Sequence, residues 1–134
     1  LRVLFDTNVL VSAFATEGLC AGLMTRANRR EFELFISPFI RREFEKVLEA
    51  KIGLSLEEIK AALALLDETA KAADPAKRNA RVSGVLKDQS DHAVLEAAVA
   101  CRAEFIVTGD REFLGLKEFR RIRIVTPREF ELLF

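Results

Sequence analysis

Of the six aspartates in the chain, four fall where apolar runs end or helices begin: Asp6, Asp88, Asp91 and Asp110. Asp6 interrupts the run VLFDTNVL, with Val3, Leu4 and Phe5 before it and Val9, Leu10 and Val11 after it. A carboxylate buried there without a partner costs several kcal/mol. Asp110 follows the apolar run Phe105–Val107 and the pair Thr108-Gly109. Glu43 lies in SPFIRREFEKVL, where helical spacing sets it at the border of a stripe made by Ile40, Phe44 and Val47. Asp91 shares a helical face with Leu95 and Ala98. Four carboxylates (Asp6, Glu43, Asp91 and Asp110) gathered at one place repel one another, and left alone some would bind protons. A hard divalent cation resolves the conflict. Mg²⁺ or Mn²⁺ takes oxygen ligands and retains water, so a few carboxylates plus water suit it. With one histidine and no paired-cysteine motif, zinc does not suit this chain.

Each acid also has a local role open to it. Asp6 and Asp110 can cap the helices that follow them, and Asp88 can cap a helix beginning at 89, with Asp91 favoured by its dipole. Glu43 can be a solvated acid on a charged helix. A single fold that sets all four at one edge favours the shared site. Ser12 and Thr108 offer supporting hydroxyls or local caps, and His92 is expected to be half-exposed. No Ser-His-Asp arrangement is visible, and the six glycines are scattered rather than gathered into a phosphate loop.

The elements that would position these residues alternate. Leu1–Phe5 reads as a buried strand, followed by helical pieces at 8–15 and 18–30 broken near Gly18. Residues 33–37 form a second strand, and Ser37-Pro38 starts a helix that runs to about Lys51 and ends at Gly53. Ser55 with Glu58 makes a capping box for a helix striped by Ile59, Leu63, Leu66 and Ala70. A short strand is expected within Arg81–Leu86, then a helix from about Asp88 to Arg102. Strands follow at 105–108 and 122–125, and Thr126-Pro127 starts a terminal helix. Such alternation predicts a parallel sheet covered by helices on both faces, with ligands bound beyond the carboxyl ends of the strands.

Composition narrows the function classes. The 134 residues predict one domain spanning 1–134, half of them hydrophobic and 31% charged. No run approaches a membrane span, and no basic, apolar leader opens the chain, so a cytoplasmic protein is expected. Cys20 and Cys101 sit in alanine-rich surroundings and read as free packing thiols. Lys and Arg balance Asp and Glu at 21 each, so bulk charge does not announce nucleic-acid binding. Basic residues nevertheless cluster, at Arg26/Arg29/Arg30, Arg41/Arg42/Lys46, Lys77/Arg78/Arg81 and Lys117/Arg120/Arg121/Arg123. They can act as solvated faces or as phosphate contacts around an acidic centre.

Taken together, LFDTNVLVSAF (4–14), SPFIRREFEKVL (37–48), KDQSDHAVLEAAVACRAEFIVTGDREFL (87–114) and IRIVTPREF (122–130) resemble the PIN-domain family of metal-dependent ribonucleases. The resemblance implies an α/β/α sandwich with a five-stranded parallel sheet in the order 3-2-1-4-5. It implies an acidic centre of Asp6, Glu43, Asp91 and Asp110 that binds Mg²⁺ or Mn²⁺ and cleaves single-stranded RNA. Asn8, Ser12, Asp88 and Thr108 would support it. Many small members are toxins of toxin–antitoxin pairs, inhibited by a small partner protein and commonly dimeric. Where the family often carries D-P-D-D, this chain reads Asp88-Gln89-Ser90-Asp91, so one optional carboxylate is replaced. Two other readings remain open from sequence: a non-catalytic PIN-like module that binds RNA or protein, and an aspartyl-phosphate phosphatase. The phosphatase usually carries a second acid where this chain has Asn8.

Overall fold

The structure, a computed structural model, describes residues 1–75, 82 and 84–134. The chain opens with β1 (Arg2–Phe5), α1 (Thr7–Ala15), α2 (Leu19–Asn28) and β2 (Glu33–Ile36). Next come α3 (Pro38–Val47), a π-helical turn (Leu48–Ile52), α4 (Leu56–Thr69) and β3 (Ala70–Ala72). The second half contains α5 (Gln89–Ala100), β4 (Phe105–Val107), α6 (Arg111–Gly115), β5 (Glu118–Phe119), β6 (Ile122–Val125) and α7 (Pro127–Glu131). The sheet order is β3-β2-β1-β4-β6-β5, and the first five strands in that order run parallel. Helices flank the sheet. Val3, Leu4, Phe5, Ile106 and Val107 on the central strands have no exposed surface, as strands covered on both faces require.

The parallel strands keep the expected 3-2-1-4-5 arrangement, but two details differ. A sixth strand, β5, pairs antiparallel with β6 through a tight hairpin. The two loop residues, Arg120 and Arg121, have φ of 48° and 69°. Such loops usually announce themselves by Asn or Gly, and two arginines hide the turn. The third strand is Ala70–Ala72, not a segment within 81–86. Ala70 continues the apolar spacing of α4 and has high intrinsic helix propensity, yet it turns extended and pairs with Leu34 on the open edge of β2. Of the segment expected as a strand, Arg81 and Ser83 lie outside the described residues, and Val82 and Gly84–Leu86 are not in a strand.

The local signals for starts and stops hold. Ser37 caps α3, with Pro38 at its first position. Both halves of the Ser55–Glu58 capping box are formed, and Thr126 with Glu129 forms another at α7. Gly53, at φ 75°, ends the π turn in the left-handed region that glycine adopts without strain. Both cysteines are free, and burial pushes the Cys101 thiol up to about 11. No single helix among the described residues is long and apolar enough to cross a membrane.

Phenylalanines tie the last helix to the sheet. Phe130 of α7 is fully buried and meets the rings of Phe5, Phe32, Phe105 and Phe134 at centroid distances of 6.4, 5.0, 5.6 and 5.3 Å. Replacing Phe130 by Ala removes this hub and leaves a cavity. The expected loss is about 3–5 kcal/mol in urea denaturation. Phe134→Ala, at a ring 45% exposed, should cost far less. Equal losses would contradict this view of the packing.

Candidate functional site

Strands β1 and β4 lie side by side with Phe5 opposite Val107. The next residue of each strand therefore leaves the sheet at the same carboxyl edge. The Asp6 N–H still donates to the Val107 carbonyl at 2.9 Å, which fixes where its side chain begins. One carboxylate oxygen of Asp6 accepts from the Thr7 N–H at 2.8 Å and caps α1. The other accepts from the Thr108 hydroxyl at 2.7 Å. Thr108 Oγ1 in turn accepts from the Asp110 N–H at 3.1 Å. A buried threonine thus couples the two acids that end β1 and β4. Asp110 caps α6 through the Glu112 N–H at 2.9 Å.

The other acids come from helices packed beside this edge. Asp88 caps α5, accepting from the N–H of Ser90 at 2.7 Å and more weakly from that of Asp91 at 3.4 Å. Asp91, in the first turn of α5, is 5% exposed. Glu43 is half-buried on α3, and its carboxylate makes no hydrogen bond or ion pair with any described residue. A cleft of about 210 Å³ joins them: Asp6, Glu43, Asp88, Asp91 and Asp110 all line it, with Asn8 exposed on its wall. Thr108 sits behind Asp6 rather than on the wall. Ser12 is half-buried and outside the lining; its carbonyl accepts from Thr16 at the end of α1.

Charge sets this cleft apart from larger hollows. A groove of about 600 Å³ between α2 and α7 contains Arg26, Arg29 and Arg128, but Arg26 pairs with Glu31 at 2.6 Å and Arg128 with Glu131 at 3.4 Å. Among the described residues the acidic cleft holds no such ion pair. Burial raises the pKa of Asp6 from its ordinary value. The hydrogen bonds from Thr108 and Thr7 oppose this, and repulsion from Asp110 and Asp88 adds to it. Asp91 is pushed up to about 6, first by burial and then by the charges of Asp110, Asp88, Asp6 and Glu112.

Among the described residues, no group of three His, Cys, Asp or Glu side chains is arranged to enclose a metal ion. The carboxylates of Asp6, Asp88 and Asp110 are engaged in capping bonds. By chemistry, though, the donor set fits a hard divalent cation. It consists of carboxylate oxygens on one wall, two of them held above their ordinary pKa by burial and mutual repulsion.

Two residues play parts that sequence did not assign. Lys51 lines the cleft from the π turn. His92 is half-buried, as expected, and it anchors the segment leading into α5. Its Nδ1 lies 3.3 Å from the Val82 carbonyl oxygen. Its Nε2 accepts from the Leu86 N–H at 2.9 Å and also touches the Leu86 carbonyl. Glu96 secures the same segment by accepting from the Val82 N–H at 3.1 Å.

Comparison with known families matches residues 2–112 to the PIN domain. The chain belongs to the PIN-domain family, whose members are generally nucleases. Among solved structures it is similar to VapBC2 from Rickettsia felis bound to a DNA fragment from their promoter. The identity is 15% and the TM-score 0.64, over 92% of this chain and 97% of that one. At that identity the likeness concerns the fold. No curated protein matches the chain.

The Asp91 shift has a consequence for stability. The folded protein keeps the Asp91 proton up to about pH 6, whereas an unperturbed aspartate releases it near 3.8. Raising pH across that interval therefore favours unfolding, and the penalty is absent below it and complete above it. With chelator present, Asp91→Asn should melt higher than wild type at about pH 7.5, and the gain should vanish by about pH 4. A difference independent of pH would contradict the assignment.

Proposed function

We propose that this protein is a divalent-cation-dependent endoribonuclease that hydrolyses phosphodiester bonds of single-stranded RNA, acting as the toxin of a toxin–antitoxin pair. The observation that carries the proposal is the cleft lined by five carboxylates at the carboxyl edge of β1 and β4 in a chain of the PIN-domain family. PIN-domain nucleases generally use divalent metals. A small antitoxin is part of the proposal, supported by the likeness in fold to VapBC2. A homodimer and a cytoplasmic setting complete it.

Asp6, Asp91 and Asp110 would hold Mg²⁺ or Mn²⁺, directly or through water, and Glu43 would complete the set or orient the attacking water. When bound, the cation supplies Lewis-acid chemistry: it makes water nucleophilic at neutral pH and offsets charge developing on the phosphoryl oxygens. Water adds to phosphorus, one P–O ester bond breaks, and the leaving ribose oxygen takes up a proton. Thr108 positions Asp6 by its 2.7 Å hydrogen bond, and the same hydroxyl holds the backbone of Asp110. Asp88 adds negative potential at the start of α5. Asn8 borders the cleft as a neutral hydrogen-bonding group.

The test is cleavage of a labelled single-stranded RNA with Mn²⁺. Wild type should cut and chelator should stop it. Asp6→Asn keeps the size of the side chain and removes its charge, and should cut about a hundredfold more slowly or worse. An Asp6→Asn protein as active as wild type would overturn the mechanism. A wild type that cuts no RNA, with or without metal, would favour a non-catalytic binding module.

A further inference from the structure

We infer that Lys51 is a substrate-contacting residue of the acidic cleft, binding a backbone phosphate of the RNA; this rests on the ribonuclease reading above. Among the described residues, Lys51 is the one cationic side chain on the cleft wall. It faces a set of carboxylates yet forms no ion pair with any described residue. A lysine there only to neutralise the acids would be expected to close on one of them. An exposed lysine that lines an acidic cleft is placed to meet an anion arriving from solvent, and a phosphodiester has that charge.

The backbone makes this placement specific. Glu43 lies on α3 eight residues before Lys51. In an uninterrupted α-helix Lys51 would stand about 80° round the axis from Glu43, since 3.6 residues make a turn. The π turn at Leu48–Ile52 is wider and takes back most of that rotation, so Glu43, Val47 and Lys51 line one cleft. The turn is locked at both ends. Leu48 is fully buried, its carbonyl accepts from the N–H groups of Gly53 and Leu54, and Gly53 ends the turn in the left-handed region. Lys51 therefore projects from a fixed main chain rather than from a frayed helix end. The wider turn would be an unusual device for positioning a lysine with no function, because π geometry is rarely kept within helices.

The role predicted is binding, not chemistry at phosphorus. An acidic cleft repels RNA as it approaches, and one cation among the acids gives the backbone a point of attachment without occupying the carboxylates.

The experiment uses a short fluorescein-labelled single-stranded RNA in the Asp6→Asn protein with Mg²⁺ fixed, its affinity followed by anisotropy across a salt series. Lys51→Gln should weaken binding about fivefold near 0.1 M salt and make the slope of log K against log[salt] shallower by about 0.7. Lys51→Arg should keep the parent slope, as should Lys60→Gln, which removes an exposed lysine on α4 away from the cleft. In the protein with Asp6 intact, Lys51→Gln should raise KM and leave kcat nearly unchanged. A Lys51→Gln slope equal to that of a parent that binds RNA would overturn this proposal alone. A parent that binds no RNA would overturn the ribonuclease reading and this proposal together. A lysine that served only to stabilise the fold would change the melting temperature and leave the salt slope where it was.

Discussion

Carboxylates drawn out of water at one edge of a parallel sheet repel one another, and this repulsion governs the chemistry open to the molecule. Asp6 and Asp91 are both buried, and both hold protons more tightly than free aspartate does. That is an unfavourable arrangement for stability alone. A protein selected only to stay folded would be better served by apolar residues at such positions. The cost is understandable if the cleft spends part of its time around positive charge. A divalent cation would convert the same repulsion into affinity.

The rest of the fold serves to hold that edge in place. The register of β1 against β4 brings Asp6 and Thr108 together, and one hydroxyl then links Asp6 to the Asp110 backbone. Helix caps do double duty: Asp6, Asp88 and Asp110 each end a loop by accepting from the first turn of a helix, and each also faces the cleft. The same short polar side chain fixes the helix and lines the cleft. His92 and Glu96 hold the segment before α5, which steadies the approach to Asp88 and Asp91.

Much of this was legible in the sequence, for reasons tied to particular residues. Asp6 and Asp110 break apolar strands, and a carboxylate at a strand's carboxyl end in an alternating fold points to the ligand edge. Ser37-Pro38, Ser55–Glu58 and Thr126-Pro127 mark helix starts by local hydrogen bonding, which needs no tertiary information. The features that escaped are those in which distant contacts decide. Ala70 leaves its helix because β2 offers an unpaired edge. Arg120 and Arg121 adopt positive φ because the β5–β6 hairpin demands it. Lys51 is hard to see because an ideal helix sets it about 80° round from Glu43, at the edge of that face, and the wider π turn brings it nearer to line.

Family membership and cleft electrostatics thus point the same way by independent routes. The family follows from the match over residues 2–112, and the electrostatics from burial and distances within this chain alone. The central claim is that acids from β1, α3, α5 and the end of β4 together bind one hard cation. The most direct test is anomalous diffraction from a crystal of this protein grown with Mn²⁺. The account predicts a single strong peak among the carboxylates of Asp6, Asp91 and Asp110, with Glu43 nearby. A well-ordered cleft without a peak, or manganese bound only elsewhere on the surface, would contradict it.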